Sequence, residues 1–79
     1  METADDRDRA AIRVWRLRKR SLYVDAELRQ VAGSSEFDLS VYYGTTLTWS
    51  GRYPNRLEAA AAARARRAEL EREGWTFHW

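Results

Sequence analysis

With 79 residues, a formal net charge of +2 and no cysteine, the chain has the size of one small domain, which we expect to fold without a disulfide or a thiolate metal site. No apolar run approaches the roughly 18 residues of a membrane-spanning helix, so we expect no membrane association and a cytoplasmic location. One histidine, without a glycine-rich phosphate loop or a nucleophile motif, predicts a protein that is not an enzyme and binds no cofactor, metal or small-molecule substrate.

The first eleven residues are polar and show no periodicity, which predicts a frayed lead-in to one domain over residues 12–79. Thr3 and Asp6 have the spacing of a capping box, so a short helix through the alanines that follow is the alternative.

Alternating apolar and polar residues predict strands at about 12–19, 22–31, 36–43 and 47–53. The second strand has the clearest alternation, and turns are expected at Arg20-Ser21 and at Gly33-Ser34. Tyr43 and Leu47 are both expected to face inward. Because side chains alternate, that parity predicts either a three-residue loop at 44–46 or a bulge between the last two strands.

The helix is predicted at about 55–73, where alanine, arginine, glutamate and leucine dominate. Asn55 is the expected N-cap, with Glu58 completing a capping box. Gly74 suits the left-handed position after the helix, and a Schellman motif would bring Trp75 against Leu70. On a helical wheel the expected docking face carries the Arg67 stem and four apolar residues, Leu57, Ala60, Ala63 and Leu70.

These elements predict an α+β fold: an antiparallel meander of three to four strands, one helix of the C-terminal half packed on one face, and a short aromatic tail or edge strand over residues 75–79. The expected core is Trp15, Leu17, Val24, Ala26, Leu28, Phe37, Leu39, Val41, Leu47, Trp49, Leu57, Ala60, Leu70 and Trp75.

A basic strip over residues 13–20 carries five positive charges and suggests nucleic-acid binding. The candidate contacts are Arg13, Arg16, Arg18, Lys19, Arg20 and Tyr23. Strand pairing predicts a more ordinary reading, because it sets Arg16 opposite Asp25 and Arg29 opposite Asp38, and such pairs neutralise charge and help fix register. Lys19 and Arg20, with Arg13, are then the charges expected to be most available to a phosphate.

Ten aromatic residues are many for so small a core, so some are expected at an interface. The candidates are Tyr42, Tyr53, Phe77 and Trp79. The aromatic surplus predicts a non-catalytic protein-interaction module, including a homodimer, that binds either through these aromatics or through an unpaired strand edge. Nucleic-acid binding by the basic strip is the alternative. His78 is expected to pack near the terminal aromatics. Glu69 and Glu71 are expected to pair with helix arginines as ordinary surface decoration.

The segments "VWRLR", "DAELR", "FDLSVYYG", "SGRYPNRLEAA" and "RAELEREGWTFHW" resemble a group of short bacterial proteins for which no activity is known, so the resemblance transfers no functional residue. The stretch "SGRYPNRLEAAAAARA" also resembles the junction between the third strand and the helix in βββα DNA-binding domains of the AP2 type. That likeness implies a sheet-then-helix topology.

Overall fold

The alternating segments of the chain form one antiparallel sheet in the computed structural model, which describes residues 11–77. The strands are β1 (Ala11–Lys19), β2 (Leu22–Gln30), β3 (Phe37–Tyr43), β4 (Thr46–Tyr53) and β5 (Thr76–Phe77), and the helix is α1 (Arg56–Arg72). In space the strands follow the order β4-β3-β2-β1-β5, so the first four form a meander and β5 returns to the outer side of β1. The predicted α+β fold is therefore confirmed.

Residues 1–10 of the predicted lead-in, with its possible capping box at Thr3 and Asp6, lie outside the described residues, as do His78 and Trp79. Ala11, which the alternative helix would have included, is the first residue of β1. The helix found in residues 11–77 lacks the length and apolar character needed to cross a membrane.

The capping residues at both ends of α1 are those that the sequence predicts, although the hydrogen bond from the Asn55 N–H to the Glu58 side chain that would complete a capping box is not among those of residues 11–77. The side chain of Asn55 accepts a hydrogen bond of 2.9 Å from the backbone N–H of Glu58. At the other end Gly74 adopts φ 103° and Trp75 donates its backbone N–H to the Leu70 carbonyl at 3.1 Å, as in a Schellman motif. This motif turns the chain back toward the sheet, where Trp75 and Leu70 are both buried in the core.

Two tight turns begin with a residue in the left-handed region, Arg20 at φ 58° and Gly44 at φ 64°. Glycine adopts this conformation without steric cost, whereas the Cβ of an arginine crowds the adjoining peptide at a cost of about 1 kcal/mol. The Arg20 carbonyl accepts a hydrogen bond of 2.7 Å from Nε of Arg18, which helps to hold the strained turn. The turn predicted at Arg20-Ser21 is confirmed.

A bulge in β4 resolves the parity between the last two strands. Thr46 pairs with Tyr43, so the turn contains only two residues and the predicted three-residue loop is wrong. The alternative, a bulge, is confirmed: Thr48 is the extra residue, and its hydroxyl donates to the Val41 carbonyl at 3.1 Å. The bulge turns Leu47 to the face of the sheet away from the helix, where 52% of its surface is exposed, so its predicted place in the core is also wrong.

The core lies between the sheet and α1. Its buried residues are Trp15, Leu17, Val24, Ala26, Leu28, Leu39, Val41, Ala59, Ala63, Leu70 and Trp75, and Phe37 and Trp49 pack against them partly buried. The indole Nε1 of Trp15, a residue only 2% exposed, donates a 2.8 Å hydrogen bond to the Ala63 carbonyl and so ties β1 to the middle of α1.

The docking face of the helix differs from the predicted one at its N-terminal end. Ala59 and Ala63 are buried, whereas Ala60 is only half-buried and Leu57 is 76% exposed. The prediction assumed that leucines would anchor both ends of the face. In the fold the close approach of small alanine side chains and the Trp15 hydrogen bond set the rotation of the helix, which leaves Leu57 facing outward.

Candidate functional site

The sheet face opposite α1, called the open face below, carries most of the charged residues of the strands. Its members follow from the register: Arg13, Arg16, Arg18, Tyr23, Asp25, Glu27, Arg29, Asp38, Tyr42, Leu47 and Arg52. Within residues 11–77 no element packs on this side. The surface therefore mixes both charge signs with two tyrosine rings.

Two bidentate ion pairs neutralise part of the open face. Arg16 donates from Nε to Asp25 at 2.6 Å and from its second terminal nitrogen at 3.1 Å, as the predicted register requires. Arg52 binds Asp38 in the same way, at 2.7 and 3.2 Å. The hydrogen bond from Arg52 lowers the pKa of the Asp38 carboxyl, and hydrogen bonding to Asp25 raises the pKa of Arg16.

Arg29 lies opposite Asp38, as predicted, but the Asp38 carboxylate takes Arg52 as its ion-pair partner. The positive charge of Arg29 still contributes to the lowered pKa of Asp38. The Nε of Arg29 is buried and has no hydrogen-bond partner among residues 11–77. Two of the arginines on the open face therefore have their charge neutralised by carboxylates of the same face.

The basic strip is divided between the two sides of the sheet. Arg13, Arg16 and Arg18 lie on the open face with Tyr23, whose ring centroid is 5.2 Å from Cζ of Arg16. Lys19 is on the other side: its Nζ donates to the Glu73 carbonyl at 2.9 Å and lies 5.8 Å from the centroid of a tryptophan ring. Lys19 is predicted to be among the charges most available to a phosphate; it is exposed, but one of its N–H donors is used at the C-terminal end of α1.

The aromatic residues predicted to form a protein interface do not share one surface. Tyr42 lies on the open face, whereas Tyr53 packs against the core at the end of β4. Phe77 is on β5, at the opposite edge of the sheet from β4. The Arg67 guanidinium lies 4.3 Å from the centroid of its ring. Trp79 lies outside the described residues.

The outer edge of β4 is the longest unpaired strand edge in residues 11–77. β4 is the first strand of the sheet order, and its eight residues, "TLTWSGRY", pair only with β3. They include a single charge, Arg52, and no proline. The other edge strand is β5, and it shields β1 only at Leu17 and Arg18.

A cleft of about 210 Å³ lies beside this edge, between the β3–β4 hairpin and the second half of α1. Its lining residues are Val41, Tyr43, Thr48, Trp49, Arg66 and Leu70. The Arg66 guanidinium stacks over Trp49 with its Cζ 4.4 Å from the ring centroid, and its Nη1 donates to Glu69 at 3.1 Å. Among residues 11–77 no acidic side chain lines the cleft, so the one charged group in this lining is positive.

The sequence treated Arg66 only as the surface partner of Glu69. The ion pair is confirmed, and so is that between Arg67 and Glu71 at 3.1 Å. What the sequence missed is that Arg66 lies on the buried face of the helix. The signal was its helical spacing from Ala59, Ala63 and Leu70, and it is readable only once the docking face is known.

Within residues 11–77 no three histidine or acidic side chains are grouped so that they could hold a metal ion. The arrangement instead offers hydrogen-bonding backbone along β4, a stacked guanidinium and a mixed-charge sheet face. A scan against protein-family models, a search of curated proteins and a search of solved structures each found no match. The resemblances noted in the sequence therefore stay predictions.

Proposed function

We propose that this protein is a non-catalytic protein-interaction module that binds an extended segment of a partner by adding it as a strand to β4. The observation that carries the proposal is the outer edge of β4, along which no strand of residues 11–77 pairs. Strand addition supplies affinity through main-chain hydrogen bonds, and side chains on alternate positions of the added strand supply specificity.

The composition of β4 supports this use of the edge. Proteins commonly protect edge strands with lysine, proline, inward-pointing charges or a bulge, and of these β4 has only the bulge at Thr48. The bulge at Thr48 bends the first part of the strand. The regular stretch from Trp49 to Tyr53 is therefore the expected pairing segment.

Self-association through the same edge is the homodimeric form of the proposal. A two-fold axis through Gly51, the centre of this stretch, would pair Ser50 of each copy with Arg52 of the other and would bring no like charges together. Light scattering across a concentration series measures this form directly.

A cytoplasmic setting is part of the proposal, because a chain without cysteine gains no disulfide from an oxidising compartment.

An amide-resolved NMR titration tests the function. The probe is an eight-residue peptide of alternating threonine and valine, matched in length to β4. We expect chemical-shift changes concentrated in residues 46–53 and slower hydrogen exchange at the β4 amides that point outward. A control peptide with proline at alternate positions cannot donate the ladder hydrogen bonds and should leave β4 unchanged. Shift changes confined to the open face would contradict the proposal.

Nucleic-acid binding by the open face is the second candidate, favoured by the cluster of Arg16, Arg18 and Tyr23. It requires phosphate neutralisation, so affinity for an oligonucleotide should fall steeply with salt. The ion pair between Arg16 and Asp25 reduces the positive charge that the open face can present to phosphates. A low-salt titration with single-stranded oligonucleotide that leaves the amides of residues 13–23 unmoved would remove this candidate.

A further inference from the structure

The lining of the cleft beside β4 indicates which kind of side chain the added segment carries. We infer that the added strand carries an acidic side chain, a glutamate in the best case, that enters the cleft and binds the guanidinium of Arg66. This inference rests on the proposed function, because the cleft reads a side chain only if the edge holds the backbone that bears it.

The positions of Trp49 and Arg66 bring the two parts of the site together. A strand paired with β4 places a side chain directly across from Trp49, with Cβ atoms about 4.5–5.5 Å apart. Arg66 stacks on the Trp49 ring with Cζ 4.4 Å from its centroid, on the helix side of the sheet. If the residue opposite Trp49 is a glutamate on the helix side of the added strand, its extended side chain reaches from its own Cβ to the Arg66 guanidinium. Its methylene groups then lie against the Trp49 indole.

Arg66 has donors to spare for such a ligand. Among its nitrogens only Nη1 donates to a described residue, Glu69, at 3.1 Å. That pair is at i,i+3 spacing with the Glu69 side chain 51% exposed, and solvent-exposed pairs of this kind contribute little. The indole keeps the guanidinium plane in place, so that a carboxylate can be bound by the two parallel N–H groups that make arginine selective for it.

The walls of the cleft fit a side chain with an apolar stem and a polar end. Val41 and Leu70, two core residues, supply its apolar surface, while Tyr43 adds a hydroxyl group. A volume of about 210 Å³ suits one side chain rather than a larger cofactor.

Charge distinguishes this partner from a second copy of β4. The eight residues of β4 contain one arginine and no acidic residue, so an antiparallel β4–β4 pair brings no carboxylate to Arg66. An acidic extended segment can both pair with the backbone of β4 and bring a carboxylate to Arg66, whereas a second copy of β4 can only pair with the backbone. The inference therefore commits to an acidic partner segment.

Two eight-residue peptides that differ only at one central position, glutamate against glutamine, test the inference when titrated to about 1 mM against the full chain by amide NMR. We expect the glutamate peptide to bind about three- to fivefold more tightly, the upper end of what a partly exposed ion pair contributes. Arg66→Gln should abolish the difference. Arg64→Gln is the matched control, since it removes an exposed charge from the same helix without touching the cleft.

A gain-of-affinity variant keeps the test independent of how well Arg66→Gln folds. Glu69→Gln removes the internal competitor for Arg66, so the preference for the glutamate peptide should increase about two- to threefold. Glu71→Gln, which breaks the neighbouring pair with Arg67, should leave it unchanged.

The possible failures are distinguishable. If both peptides shift the β4 amides with equal affinity, or if the preference persists in Arg66→Gln, the inference is overturned and strand addition stands. If neither peptide moves the β4 amides, the proposed function fails and the inference fails with it.

Discussion

Replacing Trp15 with phenylalanine tests the joint between the sheet and the helix. Trp15 is 2% exposed, and its indole Nε1 donates a 2.8 Å hydrogen bond to the Ala63 carbonyl, which is 48 residues away along the chain. Phenylalanine keeps an aromatic ring in the core but removes the donor and part of the ring volume. The change therefore probes one long-range contact that sets how α1 lies on the sheet.

The expected cost follows from these two losses. A net hydrogen bond contributes about 1 kcal/mol, and the partly filled cavity adds about 1–2 kcal/mol. The loss of about 2–3 kcal/mol is a large share of the roughly 4–12 kcal/mol total that is typical of a domain of this length. At about 4–8 °C per kcal/mol, the melting temperature should fall by roughly 10–20 °C.

Urea unfolding followed by circular dichroism measures the change, provided that the slope of free energy against urea stays constant. Trp49→Phe is the matched control, because its ring is only partly buried and the loss should be about 1 kcal/mol or less. A cost for Trp15→Phe below about 0.5 kcal/mol, or one equal to the control, would show that the hydrogen bond to α1 does not hold the helix in place.

Three further substitutions test other parts of the fold. Arg20→Gly should raise the free energy of unfolding by about 0.5–1 kcal/mol in chemical denaturation, because glycine relieves the positive φ; a loss of stability would contradict the strained turn. Asn55→Ala should lower the free energy of unfolding by about 1 kcal/mol, because it removes the N-cap of α1 that accepts a hydrogen bond from the Glu58 N–H; an unchanged unfolding midpoint would refute that role. Arg52 lowers the folded-state pKa of Asp38, so this carboxylate stabilises the fold above its unfolded pKa near 3.9 and the contribution is lost as the pH falls through the folded value. Stability measured between about pH 5 and pH 2 should therefore fall less in Asp38→Asn than in the unmodified chain, and identical pH profiles would rule out the ion pair as a source of acid sensitivity.

Local chemistry explains which parts of the fold were predictable from the sequence. The N-cap at Asn55 and the glycine at 74 act within a few residues of themselves, so their patterns identify both helix ends. Strand alternation likewise fixed the pairing of Arg16 with Asp25 once the turn at Arg20 was recognised. In each case the information lies in neighbouring residues.

The rotation of the helix and the bulge in β4 depend on contacts between distant segments. Leu57 has the hydrophobicity of a core residue, yet the alanine face and the hydrogen bond from Trp15 turn it outward. Parity allowed either a loop or a bulge after Tyr43, and only the paired strands show that Thr48 is the extra residue. The same limit applies to the cleft, because the position of Arg66 follows from the helix rotation.

The basic strip shows why composition alone is a poor guide to a site. Its charges are close in sequence, but strand alternation divides them between two faces, and Lys19 binds a helix carbonyl while Arg16 binds a carboxylate. A cluster of positive residues in the sequence therefore becomes several separate contacts within the protein.

The central claim is that an extended segment adds to the outer edge of β4. The most direct measurement is a set of inter-strand nuclear Overhauser effects between the backbone protons of the glutamate peptide and those of the labelled full chain. We predict contacts along the regular part of β4, from Trp49 to Tyr53, with the glutamate side chain near Arg66. Contacts from the bound peptide to the open face or to β5, with none to β4, would contradict it.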